Sequence, residues 1–115
     1  MPAPIVHFEL RSHDPDATRA FFGDVFGWTY AEGAIAGYTY VDTGVEGSVP
    51  GGIGPVQGGE PMTVFLIGIA DVDEALRCAE ELGGRTVQPA TSVPGVTFGI
   101  LADPQGQMVG VVSQG

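Results

Sequence analysis

Residues 5–28, IVHFELRSHDPDATRAFFGDVFGW, read as a short strand running into a helix, and the pattern returns in altered form fifty-seven residues later as residues 63–87, TVFLIGIADVDEALRCAEELGGRTV. A strand-then-helix unit written twice in so short a chain predicts internal pseudo-symmetry. In the first copy, Ile5-Val6-His7-Phe8-Glu9-Leu10 carries the β-branched and aromatic residues that suit a strand. Strand side chains alternate faces, so Ile5, His7 and Glu9 share one face while Val6, Phe8 and Leu10 share the other. One face is therefore apolar, and the other holds two groups able to bind or move protons.

Each copy also carries its own helix punctuation. Asp14 offers a carboxylate to the first free N–H groups of a helix, Pro15 fits the first turn, and Gly27 is the stop. Ala17, Phe21 and Val25, with Phe22 and Phe26 beside them, form an apolar stripe, and the three phenylalanines are expected in the core. In the second copy Asp71 is the cap and Glu74 completes a capping box. There Val72, Ala75, Leu76, Ala79 and Leu82 supply the buried stripe, and Gly83-Gly84 the stop. Cys78 borders that stripe and is expected as a small core residue rather than a nucleophile. His13, just before the first cap, is expected to be exposed.

The rest of the chain completes two like modules. Trp28-Thr29-Tyr30-Ala31 and Gly37-Tyr38-Thr39-Tyr40-Val41-Asp42 form a hairpin about Gly33, with Tyr38 and Tyr40 on one face. The glycine-rich stretch 43–61 holds a short strand at 50–54, where the backbone must approach something closely, followed by a linker. The second module continues with a strand at 85–88, a loop containing Pro89 and Pro94, and a strand at 96–101. A β-turn at Asp103-Pro104-Gln105-Gly106 and a last strand at 107–113 close it. Each half is strand, helix, three strands.

Composition narrows the function classes. A chain of 115 residues with 43% hydrophobic content makes one globular domain. No apolar run reaches the roughly twenty residues of a membrane-spanning helix, and no signal-peptide pattern follows Met1. Four arginines and no lysine face fourteen acids, so the net charge of -10 disfavours nucleic acid and anionic membranes as partners. The single cysteine precludes an internal disulfide and fits a cytoplasmic location.

In this order, HFEL at 7–10, AFFGDVFGW at 20–28, GGIG at 51–54, DVDEALRCAEELGG at 71–84 and LADPQG at 101–106 resemble the vicinal oxygen chelate superfamily, the glyoxalase, bleomycin-resistance and extradiol-dioxygenase group. The resemblance implies an α+β fold of two tandem βαβββ modules, about 4–55 and about 62–114, forming a curved mixed sheet around a cavity. It also implies a homodimer. In metal-using members of the group, ligands come from the first and last strands of each module. The corresponding positions here are His7, about Ile53, Val64 and Gly110, of which only His7 can ligate through a side chain.

The expectation is therefore a small-molecule binding protein without the full metal-ligand set, which sequesters an organic compound and needs no cofactor. Trp28, Tyr38, Tyr40, Phe65 and Phe98, with Tyr30 as a further candidate, are the aromatic walls, and the acidic composition suits a cationic ligand. The alternative is a metal-dependent lyase, isomerase or dioxygenase in which His7 and Glu9 hold a divalent ion or, without metal, move a proton. His7 has a third reading, as a core histidine bonded to Glu9 or to backbone.

Overall fold

The computed structural model describes residues 2–33 and 35–114; Met1, Ala34 and Gly115 lie outside the described residues. The order is β1 (Ile5–Ser12), α1 (Pro15–Phe26), β2 (Thr29–Glu32), β3 (Thr39–Asp42) and β4 (Gly51–Pro55), then β5 (Met62–Gly68), α2 (Val72–Glu81), β6 (Arg85–Val93), β7 (Val96–Ala102) and β8 (Met108–Gln114). This is βαβββ twice, as the repeat predicts. Two compact units result, His7–Thr63 and Val64–Gly115 together with Met1–Val6.

Within the first unit the strands run β2-β3-β4-β1, with β4 parallel to β1 and antiparallel to β3. Parallel neighbours need a crossover, and the stretch from α1 to β3 supplies it. The second unit repeats the arrangement as β5-β8-β7-β6, with β8 parallel to β5. There Val72 and Leu76 of α2 pack on Val111, with Ile67, Ile69, Ala75, Ala90 and Leu101 around them. Val6 and Pro4 belong to this unit, where the Gly68 N–H donates to the Pro4 carbonyl over 2.9 Å.

The helix punctuation is as the sequence predicts. Asp14 accepts from the Ala17 N–H at 3.2 Å and Asp71 from the Glu74 N–H at 3.1 Å. Gly27 takes the left-handed conformation, with φ 74°, and its N–H reaches the Gly23 carbonyl. The capping box is half present, because the Glu74 carboxylate pairs with Arg77 one turn on. Replacing Asp71 with alanine strands an N–H at the start of α2, and is expected to cost about 1 kcal/mol in urea denaturation.

Four expectations are corrected. Phe21 and Phe26 are 61% and 58% exposed, and α1 has no fully buried residue. The apolar positions 17, 21, 22, 25 and 26 cover about half the circumference of a helix with 3.6 residues per turn. One sheet covers only part of that arc, here the part holding Thr18, Arg19 and Phe22. In α2, Leu82 is 76% exposed, because the helix ends at Glu81 before that position can turn inward. Cys78 is exposed, one step off the Val72–Leu76 stripe. Lastly, β6 runs straight through Pro89 to Val93. The registers shift between Thr86 and Gln88 and again between Gln88 and Thr91, so Pro89 falls in an irregularity of the unit's edge strand, where no ladder N–H is required.

Candidate functional site

In the first unit, strand alternation and register bring one set of side chains onto the face of the sheet opposite α1. Glu9 on β1 is level with Gly52 on β4, which is level with Tyr40 on β3, so these three positions share a face. His7 and Arg11 lie two residues to either side of Glu9 on the same face. Tyr38, two residues before Tyr40, reaches across from the end of the hairpin. The other face of β1 carries Phe8, whose ring meets Trp28 at 5.7 Å. Trp28 in turn meets Phe22 at 5.7 Å and Phe26 at 5.4 Å, which fixes that side as the one under α1.

The glycines of GGIG explain how the two layers fit. A Cβ on Gly51 would stand 2.1 Å from the Phe8 ring, on the α1 side. One on Gly52 would stand 1.7 Å from the Tyr38 hydroxyl oxygen, and one on Gly54 would stand 2.8 Å from Tyr38 Cδ1, both on the opposite side. The Tyr38 ring thus lies in a trough over Gly52 and Gly54. Tyr40 meets it edge-on, with centroids 5.4 Å apart and ring planes at 84°.

A line of polar contacts runs along this face. The Arg11 guanidinium donates through Nε to Glu9 Oε2 at 2.6 Å, with the two side chains only 10% and 15% exposed. The Tyr38 hydroxyl donates to Glu9 Oε1 over 3.4 Å, and the Tyr38 hydroxyl oxygen lies 3.1 Å from His7 Nε2. Burial lowers the pKa of His7, and the Glu9 charge offsets part of that shift. Burial, the charge of Glu9, the neighbouring Tyr40 and the hydrogen bond to Glu9 all raise that of Tyr38, with Arg11 opposing. Tyr38 therefore stays a protonated phenol and His7 a neutral imidazole near pH 7.

Because folding depresses the His7 pKa, the unfolded chain binds that proton more readily than the folded one. The contribution is fully present above the ordinary value of 6.5 and is lost as pH falls through the lower folded value. Urea midpoints are expected to fall more steeply from pH 7.5 to pH 5 in the parent than in His7→Gln. Parallel curves would remove His7 from the pH dependence.

The remaining aromatic candidates are placed elsewhere. Trp28 is on the α1 side of the first unit, and so is Tyr30, whose hydroxyl donates to the Arg19 carbonyl at 2.8 Å. A cleft of about 510 Å³ on that side is lined by Arg19, Asp24, Trp28, Tyr30, Glu32 and Thr39 among others, and includes none of His7, Glu9, Tyr38 and Tyr40. In that cleft Tyr30 alone has a shifted pKa, raised by burial with Arg19 opposing, whereas along the polar line two shifted groups, His7 and Tyr38, are in direct contact. Phe65 and Phe98 lie in the second unit on opposite faces of its sheet. Phe65 shares the side of Ile67 and Val111 towards α2, whereas Phe98 shares that of Ile100, Gly110 and Leu66. Arg11 is not among the residues that the sequence singles out by type, although the same strand alternation that puts His7 and Glu9 on one face puts Arg11 there too.

The donor set does not fit a divalent metal centre of its own. No group of three or more His, Cys, Asp and Glu side chains converges among the described residues. Ile53, the position carried over for a β4 ligand, is fully buried and is level with Leu10 on the α1 side. The β4 residue level with Glu9 is Gly52, which has no side chain to offer. Val64 is buried and Gly110 lies beneath Leu66.

Residues 4–44 match the family model for bleomycin resistance protein-like N-terminal regions. No curated protein matches the chain by sequence. Among solved structures, a glyoxalase/bleomycin resistance protein/dioxygenase superfamily member from Vibrio splendidus is similar with a TM-score of 0.64 at 16% identity, covering 98% of this chain and 100% of that one. Methylmalonyl-CoA epimerase from Mycobacterium tuberculosis gives 0.63 at 15% identity, over 96% of this chain and 87% of that one. An NAD-dependent benzaldehyde dehydrogenase from Legionella pneumophila gives 0.68 at 12% identity, over 99% of this chain and 100% of that one. At such identities the likeness is one of fold.

Proposed function

We propose that this chain is a member of the vicinal oxygen chelate superfamily, a reading its N-terminal match and its fold support, and that it binds a small organic molecule on the face of the first sheet opposite α1 and does not turn it over. The observation that carries this reading is the line Arg11–Glu9–Tyr38–His7 set beside the crossed rings of Tyr38 and Tyr40. Aromatic surface next to a few fixed polar groups is what recognition of a small molecule requires. The same line counts against acid-base work and metal ligation. Glu9 is engaged by Arg11 and Tyr38, and a carboxylate so held is neither a free base nor an open ligand. Tyr40, 47% exposed, is the ring available to a ligand.

The reading includes a homodimer in the cytoplasm. The exposed apolar side chains Phe21, Val25 and Phe26 of α1 support a second copy, and the exposed Cys78 suits a reducing compartment. Light scattering tests the former.

The function is tested by thermal-shift screening of aromatic and cationic small molecules against the purified protein. A true ligand at about 100 times its Kd stabilises the fold by about 2.7 kcal/mol, a rise of several degrees in Tm. That rise is expected to vanish in Tyr40→Ala and to shrink in His7→Ala. Accumulation of a product on prolonged incubation would sink sequestration. Retention of near-stoichiometric zinc, nickel, manganese or iron by the parent but not by His7→Ala would instead favour the metal-dependent lyase, isomerase or dioxygenase reading.

A further inference from the structure

The position of Tyr38 carries a consequence for which ligands the site accepts. Its hydroxyl has one proton and touches two groups, His7 Nε2 at 3.1 Å and Glu9 Oε1 at 3.4 Å. Glu9 is salt-bridged to Arg11 and, as a carboxylate, only accepts hydrogen bonds. If the phenol proton goes to His7, the phenol oxygen presents a lone pair to the carboxylate and that contact becomes repulsive. If it goes to Glu9, the oxygen is free to accept from an Nε2–H, and both contacts are satisfied. A neutral imidazole carries one N–H, so its Nδ1 is then unprotonated.

We infer that Tyr38 is the positioning residue of this site: seated over Gly52 and Gly54, it accepts the Nε2–H of His7 and donates to Glu9, which holds His7 in the Nε2–H tautomer with Nδ1 as its only acceptor. The inference rests on the binding reading for its use, and it names the ligand class: a molecule that bonds to His7 does so by donating an N–H or O–H. A carboxylate, ether or ketone oxygen finds no donor on that ring.

The geometry allows Tyr38 to act this way because its ring is fixed on several sides. Gly52 and Gly54 lie beneath it, Tyr40 stands against it edge-on, and a Cβ on Gly33 would be 3.0 Å from Tyr38 Cδ2. A phenol without that bedding would rotate its hydroxyl away and leave the imidazole free to exchange tautomers. Glycine at 52 serves the same end twice, since it admits the ring and withholds any competing side-chain donor at the level of Glu9.

The test reads the tautomer in the ligand-free protein, so its failure is separate from a failure of the binding reading. Protein labelled with 15N at histidine is examined by long-range proton–nitrogen correlation at pH 7.5, with His7 assigned by its absence in His7→Gln. The expected result is Nε2 at the protonated position, Nδ1 at the unprotonated one, and an Nε2 proton that exchanges slowly with water. Tyr38→Phe keeps the ring in its trough and removes only the hydroxyl. It is expected to mix the tautomers and to accelerate exchange of that proton at least tenfold. Glu9→Gln is expected to weaken the preference less, since an amide oxygen still accepts. An Nδ1–H tautomer in the parent, or an unchanged ratio and exchange rate in Tyr38→Phe, overturns the assignment.

Discussion

Replacing Gly51 with alanine is expected to cost on the order of 3 kcal/mol of folding stability, at the upper end of what overpacking exacts, for a single added methyl group. The new carbon would stand 2.1 Å from Phe8 Cε2 and Cζ and 2.4 Å from Cδ2, far inside van der Waals contact. Phe8 has little room to retreat, because Trp28 lies against it and is itself held by Phe22 and Phe26. Moving β4 away instead would break the parallel register in which Phe8 and Gly51 are level, and with it the bond from the Phe8 N–H to the Pro50 carbonyl at 3.1 Å. Urea unfolding followed by the fluorescence of the single tryptophan reads the loss. Adding Phe8→Leu should restore part of it, and that coupling separates a clash from a general intolerance of alanine. A Gly51→Ala variant within about 0.5 kcal/mol of the parent would mean that the aromatic layer yields freely.

That clash marks the limit of what the sequence makes legible. Caps, stops and the repeat are local: Asp14, Asp71 and Gly27 act on backbone within a few residues, so spacing alone identifies them. The shared face of His7 and Glu9 is equally local, being a matter of strand alternation. The partners of a face are not. GGIG reads only as a place of close approach until the pairing of β1, β4 and β3 shows that Gly51 answers to Phe8, and Gly52 and Gly54 to Tyr38, on opposite sides. The exposure of Phe21 and Phe26 fails for the same reason. A helix with apolar residues around half its circumference does not say which arc meets the sheet, and that is decided by residues distant in sequence. Trp28 and Tyr38 look alike as aromatic candidates, yet the sheet lies between them, a distinction that register makes and composition cannot.

Replacing Gly52 with alanine is expected to do the opposite of the change one residue earlier, sparing the fold and damaging the site. The added carbon would meet the Tyr38 hydroxyl oxygen at 1.7 Å and Cζ at 2.1 Å, the far end of a side chain on the sheet face away from α1. That end can swing out of the trough, so the stability cost is expected to be about 1 kcal/mol, well below that of Gly51→Ala. The displaced phenol takes with it the contacts to His7 and Glu9 and the edge-on packing of Tyr40. Affinity for any ligand found by thermal shift should therefore fall at least tenfold, about 1.4 kcal/mol. His7 also loses part of its cover. Its folded pKa, lowered chiefly by burial, should move back towards 6.5. The stability that the parent loses as pH drops below that value should then fall away less steeply in the variant. Calorimetric titration and urea midpoints at pH 7.5 and pH 5 read the two effects on one preparation. Full affinity together with an unchanged pH slope would place Tyr38 outside the site and leave Tyr40 as its aromatic wall.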